Sequence, residues 1–239
     1  MNKELAIELD LRFAKSDAES VLSFFINKFG RNLAFSSSMG AEDQVLTDMI
    51  WTKYPETRIF TLDTGRLFQE SYELMDKIEE RYNRRIEIIF PDKADVEKMV
   101  AEKGINLFYK SIDNRKECCH IRKTVPLSRA LTGVEAWVTG IRRDQAITRY
   151  AAPMVEWNEQ YKLLKINPLR DWTQEMVWDY IKNHDLTYNK LHDNGFPSIG
   201  CAPCTRAISP SEDIRAGRWW WELPENKECG IHVTLKSRV

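Results

Sequence analysis

The chain has 239 residues and sets 35 Lys and Arg against 36 Asp and Glu, a formal net charge of −1. That balance gives no bulk attraction to nucleic acid or to an anionic membrane, so any anion site has to be a local concentration of charge. With 43% hydrophobic and 30% charged residues the composition is neither disordered nor fibrous. No apolar run nears the roughly 18 residues of a membrane span, and the charged start MNKELAIELDLRFAK does not read as a secretory leader, so a cytoplasmic protein is expected.

Residues 16–29 form an amphipathic stretch, after which short β-rich runs alternate with longer helical segments. This is the pattern of an α/β fold with a doubly wound, mainly parallel sheet. LAFSS (33–37) reads as a buried strand and AEDQVLTDMIWTKY as the helix after it. RIFTL (58–62) is a second strand, followed by the helix ESYELMDKIEERYN. IEIIF (86–90) reads as a third buried strand, with ADVEKMVAEKG as its crossover helix. EAWVTGI (135–141) and YKLLKINP (161–168) are further strands, and TQEMVWDYIKNH (173–184) is a helix with Thr173 as N-cap. From about Ser198 the periodicity weakens and Pro, Gly and charge accumulate, which predicts an irregular C-terminal segment laid over the body.

In such folds ligands bind beyond the carboxyl ends of the strands, so the turns SSSMGAED (36–43), DTGRLF (63–68) and GIRRDQAITR (140–149) should converge. The first offers Ser36, Ser37, Ser38 and Gly40 at a helix start, where hydroxyls, N–H groups and the helix dipole can receive a phosphate. It is neither GxxxxGKS/T nor GxGxxG, which weighs against a Walker NTPase or a nicotinamide enzyme, and its plain alternative is an ordinary capped helix. Asp63 suits a strand-end turn as well as a ribose contact. The third turn packs three arginines into eight residues, either to grip an anion or to pair with surface acids.

Five cysteines in a reducing compartment argue for metal or thiol chemistry and not for a disulfide framework. Cys118 and Cys119 are adjacent, and Cys201 and Cys204 form a CxxC. Four thiolates so arranged suffice for zinc or an iron–sulfur cluster; we favour [4Fe–4S], because vicinal thiolates suit different irons of one cubane better than one zinc ion. A thioredoxin-like CAPC and unconnected buried thiols are the other readings. Lys123 lies i,i+4 from Cys119 in CCHIRK, which on an α-helix puts a cation between the metal site and the cleft. Cys229, in KECGIH, is the leftover thiol, a candidate nucleophile, with Arg215 and Arg218 at i,i+3 in the same tail able to clamp an anion. Trp219, Trp220 and Trp221 are expected to anchor that tail.

SSSMGAEDQV, LDTGRLFQESY, KECCHIRKTVPL, TGIRRDQAITR, CAPCTRA, SEDIRAGRWWWE and KECGIH, in this order and spacing, resemble the assimilatory phosphosulfate reductases, specifically the cluster-containing adenylylsulfate (APS) reductases. Gln69, Ser71 and Ala207 stand where that family often has Pro, Thr and Pro. The resemblance implies an adenine nucleotide α-hydrolase-like (PP-loop-like) fold, with residues 1–205 as the nucleotide-binding domain carrying the cluster and residues 206–239 as a mobile catalytic tail. It implies Cys118, Cys119, Cys201 and Cys204 as cluster ligands and Cys229 as nucleophile. Ser36, Ser37, Ser38, Gly40, Leu62, Gly140 and Arg149 fall on its nucleotide site, and Lys123, Arg215, Arg218 and His232 lie around the sulfate. It implies APS reduction to sulfite and AMP through an S-sulfocysteine, with a PAPS or dual reductase as the alternative. With four cysteines committed to the cluster no resolving thiol is left, so thioredoxin or glutaredoxin is the implied reductant; a homo-oligomer is left open. A cluster-dependent tRNA thiolase would need a basic RNA-binding surface that the charge balance lacks, and a redox sensor would need neither the nucleotide turns nor the arginine pair.

Overall fold

The computed structural model describes residues 1–146, 149–223, 227, 230 and 231. Two helices, α1 (Lys3–Phe13) and α2 (Ala18–Phe29), precede the first strand. The first was not anticipated: its buried face is only Ala6, Leu9 and Phe13, while Ile7 and Leu11 face solvent and blur the helical period. Its start is set by Asn2, whose side chain accepts the Leu5 N–H at 3.0 Å. Then follow β1 (Leu33–Ser37), α3 (Ala41–Lys53), β2 (Arg58–Leu62), α4 (Gln69–Tyr82), β3 (Glu87–Ile89) and α5 (Lys93–Lys103). α6 (Ile112–Cys119) runs through a π-helical turn at His120–Thr124 into α7 (Val125–Ala130). β4 (Ala136–Val138), β5 (Val155–Asn158), β6 (Leu163–Ile166) and α8 (Gln174–Asn183) complete the regular elements.

The six strands form one sheet in the order β3-β2-β1-β4-β6-β5, parallel except for β5. The doubly wound, mainly parallel reading therefore holds. β5 escaped it because a four-residue antiparallel strand carries no crossover helix; it pairs with β6 as a hairpin through the turn at Asn158–Lys162. IEIIF is not a buried strand but a sheet edge, with Ile88 and Phe90 exposed. EAWVTGI contracts to its apolar centre, since its carboxyl end belongs to the ligand-facing turn.

Alternation along the strands sends side chains to opposite faces. Leu33, Phe35, Ile59, Val138, Leu164 and Ile166 join residues of α1, α2, α3, α4 and α8 in the larger core. Ala34, Phe60, Trp137 and Leu163 point the other way and pack on Leu127 and Ala130 of α7. A third apolar cluster brings Met99, Leu107 and Phe108 around Cys118, Cys201, Cys204 and Trp219. After β1 the strands β2 and β3 are added on one side and β4 on the other, so the strand order switches between the parallel neighbours β1 and β4 and a crevice opens beyond their carboxyl ends. Among the described residues no helix is long and apolar enough to cross a membrane.

Candidate functional site

A cleft of about 240 Å³ lies at that switch point. The turns after β1 and β4 and the end of β2 all border it: Ser36, Ser37, Ser38, Gly40, Leu62, Gly140 and Arg149 line it, as do Lys123, Arg215 and Arg218. The structure thus brings ten of the residues singled out in sequence to one place. His232 and Cys229 lie outside the described residues. Asp63 does not line the cleft; its carboxylate accepts the Gly65 N–H at 2.7 Å and the Tyr72 hydroxyl at 3.0 Å, the turn-forming role that was its alternative.

The hydroxyls of the β1 turn are largely engaged in shaping it. Ser36 Oγ accepts from the Trp137 indole at 2.7 Å, Ser37 Oγ from the Met39 N–H at 3.3 Å, and Ser38 donates its hydroxyl to Asp43 at 2.6 Å. Met39 adopts φ +64°, a strained left-handed conformation that lets the turn reverse within one residue. Gly40 starts α3 without a side-chain cap, so the first-turn N–H groups of a 13-residue helix face the cleft. Gly140 is required by packing: a Cβ there would stand 2.2 Å from Asp43 Oδ1.

Burial dominates the acid beneath this turn. It raises Asp43 from 3.8 to about 7, against the opposing hydrogen bonds from Ser38 and the Arg149 charge. The native state then holds a proton between about pH 4 and pH 7 that the unfolded chain releases, so stability falls as pH rises through that window. Asp43→Asn, which cannot ionise and keeps an acceptor for Ser38, is expected to gain thermal midpoint over the parent progressively from pH 5 to pH 8. Parallel midpoint–pH curves for the two proteins would contradict this.

The arginine-rich turn divides its work. Arg142 is buried and bonded to Glu42 at 2.9 Å and to Asp144, and Arg143 pairs with Asp171 at 2.8 Å. For these two the acid-paired reading replaces the anion grip. Arg149 donates to Gln145 Oε1 at 2.6 Å, and Gln145 in turn donates to Glu42 at 2.9 Å, so the cleft arginine is tied to the start of α3. Gln145, within the singled-out turn 140–149 but not itself named, also borders the cleft, as do Trp178 and His192, whose local sequence does not distinguish them from surface or core residues.

The four paired cysteines are free thiols and line a second, smaller cavity of about 20 Å³, with Arg66, Arg115, Arg122 and Phe108 among its walls. Burial pushes the Cys118 thiol up and Cys204 up to about 12, with the Cys201 charge adding to both and Lys123 and Arg218 opposing at Cys204. Thr64 Oγ1 lies 3.2 Å from Cys201 Sγ. Three buried N–H donors on this cavity's walls, Arg122 Nε, Arg218 Nε and Trp219 Nε1, have no hydrogen-bond partner among the described residues. Unmet buried donors are costly, and beside four sulfurs they are what an electron-rich, anionic group would satisfy. Among the described residues no group of three or more His, Cys, Asp or Glu side chains is arranged to hold a metal ion.

Lys123, Arg218 and Trp219 line both cavities. Lys123 thus borders both cavities, but from a π-helical turn at His120–Thr124, where the i,i+4 spacing of an α-helix to Cys119 does not hold. Gly200 lets Arg218 in, since a Cβ there would meet Arg218 Nη2 at 2.3 Å, and Arg218 donates to the Ile199 carbonyl at 3.1 Å. Arg215 Nη2 donates to the Lys227 carbonyl at 2.9 Å. Trp219 is fully buried and anchors the segment as expected, whereas Trp220 is 39% exposed.

The family pattern described as "Phosphoadenosine phosphosulfate reductase domain" matches residues 32–207, which include all four paired cysteines. The adenosine 5'-phosphosulfate reductase of Allochromatium vinosum is 51% identical over 201 residues, covering 84% of this chain and 78% of that protein. The protein of the same name from Agrobacterium fabrum is 45% identical over 225 residues, 94% of this chain and 86% of its own. Among solved structures, the phosphoadenylyl-sulfate (PAPS) reductase of Candida auris in a phosphate complex superposes with a TM-score of 0.75 at 27% identity, covering 87% of this chain and 98% of that one. Candida glabrata FMN adenylyltransferase with FAD and pyrophosphate shares the fold at a TM-score of 0.57 and 17% identity, over 93% of this chain and 75% of that one.

Proposed function

The chain belongs to the phosphoadenosine phosphosulfate reductase family, and from that premise we propose that it is the thiol-dependent oxidoreductase that converts adenosine 5'-phosphosulfate to sulfite and AMP in sulfate assimilation. The observation that carries this reading is the shared wall, where Lys123 and Arg218 border both the cleft at the sheet's switch point and the four-cysteine cavity. The names of the relatives at 45–52% identity support APS as the substrate. The family description and the Candida auris structure carry the PAPS name and favour the second reading, a PAPS or dual reductase.

The nucleotide occupies the cleft, its phosphate near the α3 N-terminus and Arg149, and Ser36, Ser37, Ser38, Gly40, Leu62 and Gly140 form the surrounding surface. Lys123, Arg215 and Arg218 neutralise the sulfuryl oxygens as charge builds on them. The Cys229 thiolate attacks the sulfuryl sulfur, the bond from sulfur to the bridging oxygen breaks, and AMP leaves, with His232 beside the reaction. A dithiol partner, thioredoxin or glutaredoxin, then attacks Cys229 Sγ. Sulfite leaves, the thiolate of Cys229 is restored, and the partner closes to a disulfide, having supplied two electrons. This chemistry needs a reducing compartment, and the cytoplasm is the one proposed.

Cys118, Cys119, Cys201 and Cys204 fit a [4Fe–4S] cluster by donor set and by the unmet N–H groups around them. When bound, the cluster supplies a fixed anionic body that the surrounding cations balance and against which Lys123 is held. The deciding experiment is to incubate reductant-free enzyme with APS labelled at sulfur and map the peptide that takes the label. Label on the Cys229 peptide, released as sulfite by reduced thioredoxin, is the expected result; the same run with labelled PAPS reads the substrate preference. No labelled peptide with either nucleotide would remove the reading.

A further inference from the structure

We propose that the Arg115–Glu222 ion pair is a positioning strut that ties the cysteine-bearing helix to the segment leading to the reactive thiol, and thereby governs the rate of thiol attack. This rests on the thiol chemistry proposed above for Cys229. Arg115 sits one turn before Cys118 and Cys119 on α6, and Glu222 stands seven residues before Cys229. Their side chains meet as a bidentate fork, Nε to Oε1 at 2.9 Å and Nη2 to Oε2 at 2.7 Å, and are 1% and 2% exposed. Neither lines the nucleotide cleft.

The fork lies within a continuous set of contacts. The Arg115 guanidinium also interacts with the Cys119 thiol and lies 4.7 Å from the centre of the Trp219 ring. The Arg218 guanidinium lies at the same distance from that ring and reaches the cleft. The Trp219 backbone N–H donates to the Cys204 carbonyl at 3.1 Å, so the segment is tied directly to the CxxC pair and, through Arg115, to Cys119. A buried ion pair is a poor source of stability, because an apolar pair of similar volume does as well without the desolvation cost. What a bidentate fork adds is fixed register and orientation. The place where it fixes them is the root of the segment that must present a sulfur to a bound sulfuryl group.

The test uses cluster-loaded enzyme in three forms: the parent, Glu222→Gln, and the double change Arg115→Met with Glu222→Met. Iron per chain, AMP affinity, thermal midpoint and the single-turnover rate of Cys229 S-sulfonation are read on each. Glu222→Gln strands a buried guanidinium, so its midpoint falls; its S-sulfonation slows by about tenfold to a hundredfold, as expected for misplaced reacting groups. Iron and AMP affinity stay at parental values. The apolar double variant recovers the midpoint but not the rate, and it carries the test if Glu222→Gln fails to fold. A double variant whose rate recovers together with its midpoint would overturn the proposal, because the pair would then be only structural. Iron loss in the double variant would overturn it too, by assigning the pair to the metal site. If the parent itself takes no label, the functional reading fails; if parent and variants label at equal rates, only the strut fails.

Discussion

Replacing Cys229 by serine is expected to abolish sulfite release while leaving iron content, visible absorbance and AMP affinity unchanged. The reason is chemical. A serine hydroxyl is not ionised near neutral pH and is a far weaker nucleophile toward sulfur than a thiolate, and a sulfate ester on serine has oxygen in place of the Sγ that a second thiol must attack to expel sulfite. Among the described residues the cleft proposed to bind the nucleotide is lined by the β1 and β4 turns and by Lys123 and Arg218, all of which the substitution leaves in place. Equilibrium binding of AMP, iron analysis and a sulfite assay on one preparation check this. Turnover retained by the serine variant would move the nucleophile elsewhere.

Cys201→Ala is expected to lose iron and activity together. Cys201 opens the short helical turn Ala202–Cys204, which is tied to the β2 turn by the Ala202 N–H on the Arg66 carbonyl at 2.8 Å and closed by Thr205 Oγ1 on the Cys201 carbonyl at 2.9 Å. The backbone of the loop is therefore held without the thiol, and the fold should survive the change. What is lost is one of four ligands, and with it the anionic charge that answers Arg122, Arg218 and Lys123. Iron per chain, absorbance and circular dichroism separate ligand loss from unfolding. A colourless, zinc-loaded and active Cys201→Ala protein would refute the iron–sulfur assignment.

Much of the scaffold was readable because it is local. β1 and β2 coincide with LAFSS and RIFTL, since strands buried on both faces are continuous apolar runs. Thr173 caps α8 as expected, accepting the Met176 N–H at 3.3 Å. The misses have local causes as well. β5 is short, polar at alternate positions and antiparallel, so no crossover helix announces it. The edge position of β3 depends on strand order, which the sequence does not state. The i,i+4 spacing of Cys119 and Lys123 presupposed an α-helix, and a π turn leaves no composition signal.

Residue types and their order along the chain determined two close cysteine pairs and one leftover cysteine, hydroxyl- and Gly-rich turns at the strand ends, and a family resemblance strong enough to name the chemistry. Which charges are available for that chemistry was decided only by the tertiary structure. Arg142 and Arg143 belong to the same turn as Arg149 yet are taken up by Glu42, Asp144 and Asp171. Arg115 and Glu222, 107 residues apart, find each other beside Trp219 of the third apolar cluster. The placement of Lys123, Arg218 and Trp219 as a wall common to two cavities likewise follows from packing. Secondary structure follows from periodicity over a few residues, whereas the pairing of charges is set by which surfaces the folded chain buries against one another.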